Sequence, residues 1–327
     1  HTLSLHDALP ISRFAWEPGN PVTLAGSEKT IAIFHPVRHL ETTRSGLDLD
    51  LLRSPLVGRK TEFEALQAAV ADMQRGVGGI VTLVGEAGIG KSRLVSELQS
   101  YVESSSSRSE ISIEPLPDSP RWIGGRCLSF ASGSAYQVWQ RLLRRLFRIP
   151  QLCTQETECR LLEDDVGRVC PGQGDRLTPY LARVMALPVN ETDATMLESM
   201  REAGRLRDAT FRAVETVLAC ASANRPLVLV LEDLHWADAT SLALLEHLLT
   251  LTDKAAVLFL CVFRPETTHG CWALRETASR RYPHRHRDLI LSPLGETSQQ
   301  RLVDNLLDAA RRREVEVPDP EALQSII

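Results

Sequence analysis

Residues Gly85-Glu86-Ala87-Gly88-Ile89-Gly90-Lys91-Ser92 set three glycines, a lysine and a hydroxyl side chain in the spacing G-x-x-x-x-G-K-[ST]. That pattern suits the cradling of phosphate groups. Glycines let the backbone wrap closely round an anion with its N–H groups turned inward, and a following helix adds the positive potential of its N-terminus. Lys91 would then reach the β- and γ-phosphates and Ser92 would hold Mg²⁺, with Glu86, Ala87, Ile89 and Arg93 completing the contact set. Such chemistry needs a strand before the loop and a helix after it. The apolar run Ile80 to Val84 and the helical pattern Arg93 to Val102 supply both.

A second constellation is Leu227-Val228-Leu229-Val230-Leu231, ending in Glu232-Asp233. A buried parallel strand would deliver the two carboxylates at its carboxyl end. One acid can hold Mg²⁺ while the other orients or deprotonates an attacking water, so an adjacent pair suits hydrolysis. Glu232 stands first, at the metal position, and Asp233 second, at the base position; both are candidates for either role. A further buried strand, Val257 to Val262, is followed by Arg264. Arg264 is a candidate sensor of the γ-phosphate, the alternative being a salt-bridged surface arginine.

These elements sit in a chain of 327 residues with 43% hydrophobic content, enough for one large domain or two modest ones. A net charge of −5 argues against a protein that coats nucleic acid. The longest apolar run, Ala255 to Phe263, is too short for a membrane span. Seven cysteines without a C-x-x-C pair read as reduced thiols in a cytoplasmic protein, with Cys220 and Cys261 in core positions.

Residues 1–12 read as the conceptual translation of a sequencing-library adapter, or else as a short disordered terminus. From 13 to 43, Pro21 to Gly26 and Thr30 to Phe34 read as two short strands round a turn, and 44–54 as a linker. The phosphate-binding domain is expected over 55–295, opening on a helix with Phe63, Leu66, Val70 and Met73 on one face. Ser104 to Ser109 reads as a flexible loop, Arg121 to Cys127 as a strand, and Tyr136, Trp139, Leu143 and Leu146 as the apolar face of a helix. The opposite face of that helix, Arg141, Arg144, Arg145 and Arg148, is either solvated or an interaction surface. The long stretch Met196 to Ala223 reads as helical, Arg280 to Arg287 as a loop, and Leu289 to Leu294 as a last strand. Asp238 suits the N-cap of a helix. The start of a helical lid is expected at Glu296 to Arg313, truncated within 296–327.

Taken with Val57-Gly58-Arg59, Leu231 to Asp238 (Leu-Glu-Asp-Leu-His-Trp-Ala-Asp), Phe263-Arg264-Pro265-Glu266 and Leu291-Ser292-Pro293-Leu294, the motifs resemble the AAA/STAND-type ATPase module of bacterial signalling proteins, an origin-recognition-like AAA domain. The resemblance runs from about Leu56 to Leu307. It implies an α/β P-loop NTPase fold of the AAA/ASCE type, three layers round a central, mostly parallel sheet, with ATP and Mg²⁺ as cofactors. It also implies a nucleotide-driven switch that packs against other domains of its parent protein and oligomerises with ATP. Members of the wider class commonly carry Asp before Glu, the reverse of Glu232-Asp233. Pro21 to Phe34 resembles the last strands of class III nucleotide cyclase domains, with Ala25 where that family has lysine and without its catalytic carboxylates.

The function these readings lead to is an ATP-binding, slowly hydrolysing regulatory module, linked to a cyclase. The alternatives are the same module in a DNA-binding transcription regulator, or a small-molecule kinase, which the paired acids fit less well. A GTPase would carry an Asn/Thr-Lys-x-Asp motif, which the sequence lacks.

Overall fold

The computed structural model describes residues 55–106, 119–129, 135–150, 153–200 and 204–311, with four short strands nearer the N-terminus. The chain divides into two compact units, Leu56–Gln299 and a second made of His1–Pro55 with Gln300–Ile326. In the second unit β1 (Phe14–Pro18) pairs antiparallel with β4 (Phe34–His39), and β2 (Val22–Thr23) with β3 (Thr30–Ile31). The β2–β3 pair falls within the two short strands expected there, whereas the pairing of β4 with β1 has no local signal. Residues 1–12 and the linker 44–54 lie outside the described residues.

The larger unit is built on five parallel strands. They are β5 (Gly79–Val84), β6 (Arg121–Arg126), β7 (Leu227–Glu232), β8 (Val257–Phe263) and β9 (His286–Ile290), in the spatial order β6-β7-β8-β5-β9. Strand β8 therefore lies between β5, which leads into the glycine loop, and β7, which ends in the acids. Strands β5, β7 and β8 are apolar along nearly their whole length because both faces are covered. Leu227, Leu229, Leu231, Phe259 and Phe263 point into one core and Val228, Val230, Leu258, Leu260 and Val262 into another, the period of two expected of a strand.

Helices α1 (Lys60–Gln74) and α2 (Lys91–Ser106) close the second core with Leu66, Met73, Leu94 and Leu98. The first core is closed by α3 (Gln137–Leu146), α4 (Gln155–Val169), α5 (Gly174–Val184), α7 (Arg205–Asn224), α8 (Ala239–Leu248) and α9 (Gly270–Arg281). Helix α6 (Glu191–Ser199) precedes α7, and α10 (Glu296–Arg311) ends the described chain. This is the three-layer α/β arrangement expected from the sequence. Each fully buried Leu, Val or Phe of the central strands contributes about 1.5–3 kcal/mol through the water-exposed area it removes.

Several boundaries differ from expectation. The stretch Met196 to Ala223 is two helices, because Gly204 takes a left-handed conformation (φ 67°) and starts α7 afresh. Ser104 to Ser106 continue α2 instead of opening a loop, while 107–118 lie outside the described residues. The last strand begins at His286 and ends at Ile290, since its pairing runs from Ile80↔His286 to Val84↔Ile290; Arg280 and Arg281 belong to α9. Helices α4, α5 and α9 carried no strong sequence signal.

The arginines of α3 are used internally. Strand β6 is a sheet edge, and the Gly124 and Arg126 carbonyls on it accept hydrogen bonds from Arg145 and Arg141. Arg144 pairs with Glu158 and also donates to the Met185 carbonyl. Capping the edge in this way leaves those carbonyls unavailable to another strand. Of the four, three thus serve the fold, neither freely solvated nor an open basic surface.

Asp238 caps α8 as expected, accepting from Ser241 N at 2.8 Å and Ser241 Oγ at 2.6 Å, and from Tyr136 N at 3.3 Å. Asp238→Ala is expected to lower stability by about 1–2 kcal/mol through loss of this cap. Urea denaturation would register it as a lower midpoint with the slope unchanged; an unaltered midpoint would remove the cap from the account.

Candidate functional site

The carboxyl ends of β5, β6, β7 and β8 bring the candidate residues to one edge of the sheet, the edge at which open α/β folds hold ligands. The glycine loop follows β5 directly. Gly88 (φ 76°) and Gly90 (φ 102°) adopt backbone conformations that side chains resist, and Leu94 N closes the first helical turn on Gly90 O at 3.1 Å. Helix α2 begins at Lys91, so its unpaired N-terminal amides open toward the loop. Glu86, Ala87 and Gly88 are exposed on the loop, Ile89 and Gly90 half-buried.

Lys91 is buried at 9% exposure, and its ammonium donates to Gly85 O (2.6 Å) and Glu86 O (2.7 Å) of its own loop. Burial lowers its pKa and the nearby Arg264 charge lowers it further, against the opposing pull of Asp233 and Glu86. Its donors are thus held at the loop by acceptors that an anion could replace. Arg93 turns along α2 to Glu97 (2.9 Å).

Glu232 and Asp233 lie at the end of β7, across β8 from the loop. The Ser92 hydroxyl donates to Glu232 Oε2 at 3.3 Å, joining two residues 140 positions apart. Arg126, which faces Glu232 in the β6–β7 register, forms ion pairs with both acids: Nη2 to Glu232 Oε2 and Nε to Asp233 Oδ2, each 3.2 Å. Asp233 has a left-handed backbone (φ 55°, ψ 39°), uncommon for a residue with a side chain. Arg264, half-buried after β8, makes no hydrogen bond or ion pair among the described residues, yet its charge is felt at both Lys91 and His235.

Sequence reading missed two participants. Arg126 is one, since nothing local to β6 reveals that its last residue faces the acids. Arg59, quoted only within a motif, is the other. It is 6% exposed and binds Glu62 (3.1 Å), the Ile89 carbonyl of the glycine loop (3.3 Å) and the Ser292 carbonyl after β9 (2.6 Å). It therefore ties the start of α1 and the segment after β9 to the loop.

The donor set fits a hard divalent cation accompanied by phosphates. The Ser92 hydroxyl and the Glu232 carboxylate offer oxygen donors of the kind such a cation takes, already in contact with each other. Among the described residues no three His, Cys, Asp or Glu side chains gather into a metal cage; His284 Nε2 lies 2.9 Å from Asp253 Oδ1 and His286 Nε2 lies 2.9 Å from Thr82 Oγ1. The described cysteines are all free thiols, and Cys261 is fully buried while Cys220 is partly so. No helix among the described residues is long and apolar enough to cross a membrane.

An uncharacterized protein of Rhizobium meliloti (strain 1021) is 26% identical over 215 residues, covering 64% of this chain and 19% of that protein, so the chain spans about a fifth of that relative's length. Among solved structures, a Signal Transduction ATPase with Numerous Domains (STAND) protein with a tetratricopeptide repeat sensor from Pyrococcus horikoshii matches at 12% identity. That match covers 84% of this chain and 28% of the other, with a TM-score of 0.31. A Drosophila ORC structure bound to GC-rich DNA and Cdc6 matches at 10% identity over 82% of this chain and 85% of the other, with a TM-score of 0.29. The family model described as AAA ATPase domain matches residues 55–263, the stretch that holds the glycine loop, both acids and the whole of β8, and the chain belongs to that family.

Proposed function

We propose that this chain is an ATP-binding, slowly hydrolysing switch module within a multidomain signalling protein. The observation that carries the reading is the Ser92–Glu232 contact. It sets a glycine loop and a carboxylate pair, distant in sequence, side by side at one sheet edge. Gly85 to Arg93 hold the phosphates, with the loop amides and Lys91 as donors. Ser92, Glu232 and Asp233 hold Mg²⁺, which when bound neutralises phosphate charge. Asp233 orients or deprotonates water, and Arg264, which follows the strand between those carrying the loop and the acids and has no hydrogen-bond or ion-pair partner among the described residues, reads the γ-phosphate.

The ion pairs of Arg126 compete weakly with Mg²⁺ for the two acids. Both acids are engaged by one guanidinium that is 52% exposed, so releasing them needs little free energy, about 0–1 kcal/mol. Arg126→Ala is expected to tighten Mg·ATP binding by up to about fivefold, the factor to which that energy corresponds. Titration calorimetry at fixed Mg²⁺ measures it, and weaker binding in the variant would contradict an inhibitory role.

Adenine specificity, assembly on ATP and a cytoplasmic location follow from the family reading. The link to a cyclase rests on the resemblance of Pro21 to Phe34. Calorimetry of Mg·ATP and Mg·GTP into the whole chain, with phosphate release measured beside it, tests the central claim. Binding of ATP in preference to GTP with slow release supports the switch; no binding by folded protein refutes it.

A further inference from the structure

The two ring nitrogens of His235 are the only buried side-chain polar atoms among the described residues that lack a hydrogen-bond partner. The residue is 5% exposed, so water does not readily compensate them, and burial disfavours its charged form. It lies in the short turn Leu234–Trp236 directly after Asp233, and that turn is closed by Trp236 N on Asp233 O at 2.9 Å. The ring packs 5.1 Å from that of Trp236 and 6.1 Å from that of His269. These are ring contacts, and they satisfy neither nitrogen.

Two unfavourable features thus lie two residues apart at one turn: the left-handed backbone of Asp233 and the unpartnered imidazole of His235. A turn held in this way is not at its own minimum, and a ligand that lets it satisfy its polar groups gains differential affinity for the altered turn. The ion pair of Asp233 with Arg126 holds the carboxylate that such a ligand would release.

We propose that His235 is a positioning residue for Asp233: its imidazole takes up a hydrogen bond only when the nucleotide site is loaded, and that bond sets the Asp233–Trp236 turn for hydrolysis. This role rests on the ATPase reading above. It gives opposite signs to stability and activity. His235→Leu, close in volume and without polar atoms, removes the unsatisfied group and with it the bond formed on loading.

The test is thermal unfolding of the whole chain with and without Mg·ATP, together with single-turnover hydrolysis, for wild type, His235→Leu, His235→Gln and His235→Asn. Without nucleotide the leucine variant should melt at or above wild type. With nucleotide its Tm should rise less, and its hydrolysis rate should fall by about tenfold to 100-fold, as expected for a misplaced catalytic group. One of the two amides, each reproducing one ring nitrogen, should recover part of the rate. Wild-type turnover in the leucine variant overturns the role. So does a nucleotide-free Tm that falls with leucine and is kept by an amide, because the imidazole is then already bonded in the free protein. Should the leucine variant not fold, equal rates in the glutamine and asparagine variants overturn it. If wild type itself shows no Mg·ATP-dependent rise in Tm, the nucleotide reading fails first and this role falls with it; a wild-type rise that the leucine variant matches removes only the role of His235.

Discussion

Lys91→Ala is expected to weaken Mg·ATP binding by about 100-fold, which corresponds to about 3 kcal/mol. In the free protein the Lys91 ammonium donates to the Gly85 and Glu86 carbonyls, so its charge is already directed at the loop and little reordering precedes binding. A hydrogen bond to a charged group contributes about 1.5–3 kcal/mol net, and transferring two such donors to phosphate oxygens accounts for the expected loss. Arginine at this position keeps the charge, but its planar fork cannot occupy the same buried spot, so Lys91→Arg should recover only part of the affinity. Titration calorimetry on the whole chain measures the effect, with a melting curve to establish that the variant folds. Affinity equal to that of wild type would remove the loop from the binding site.

Asp233→Asn is expected to leave Mg·ATP affinity within about threefold and to lower hydrolysis by about 100-fold to 10,000-fold, the range for loss of a general base. Asparagine is the apt replacement because it tolerates the left-handed backbone found at Asp233 and nearly preserves the shape of the side chain. What it removes is the negative charge. Losing the ion pair to Arg126 should hardly change stability, because Arg126 is largely exposed. Single-turnover phosphate release reads the rate directly. A rate within about twofold of wild type would transfer the base role away from Asp233. Glu232→Gln, run beside it, separates the metal role from the base role. A raised Mg²⁺ requirement at retained nucleotide affinity identifies Glu232 as the metal-side acid.

Much of the scaffold could be read from the chain because its signals are local. Continuous apolar runs of strand length mark β5, β7 and β8, since a parallel strand covered on both faces admits no polar alternation. The glycine loop is legible for a related reason: its conformation depends on residue types within eight consecutive positions. Asp238 as a cap is likewise a matter of four consecutive residues, Asp238 to Ser241. Where the signal weakened, so did the reading. Strand β9 carries His286, Arg287 and Asp288, and only its pairing with β5 makes it a strand; there the Thr82 hydroxyl lies within hydrogen-bond distance of His286 Nε2 (2.9 Å) and donates to Asp288 Oδ1 (2.6 Å). Helix α5 carries Pro179 within it, which masks its periodicity.

The chain by itself marked the candidates for binding phosphate and a metal, because glycine freedom, a lysine charge and paired carboxylates are properties of residue type and short spacing. The tertiary structure alone decided which of them meet. Inserting β8 between β5 and β7 sets Arg264 between the loop and the acids, while the β6–β7 register brings Arg126 opposite Glu232. Burial of the turn after Asp233 leaves the two ring nitrogens of His235 without a hydrogen-bond partner among the described residues. None of these juxtapositions has a local cause. Each depends on strand order, register and the exclusion of water, which arise only when segments distant in sequence pack together.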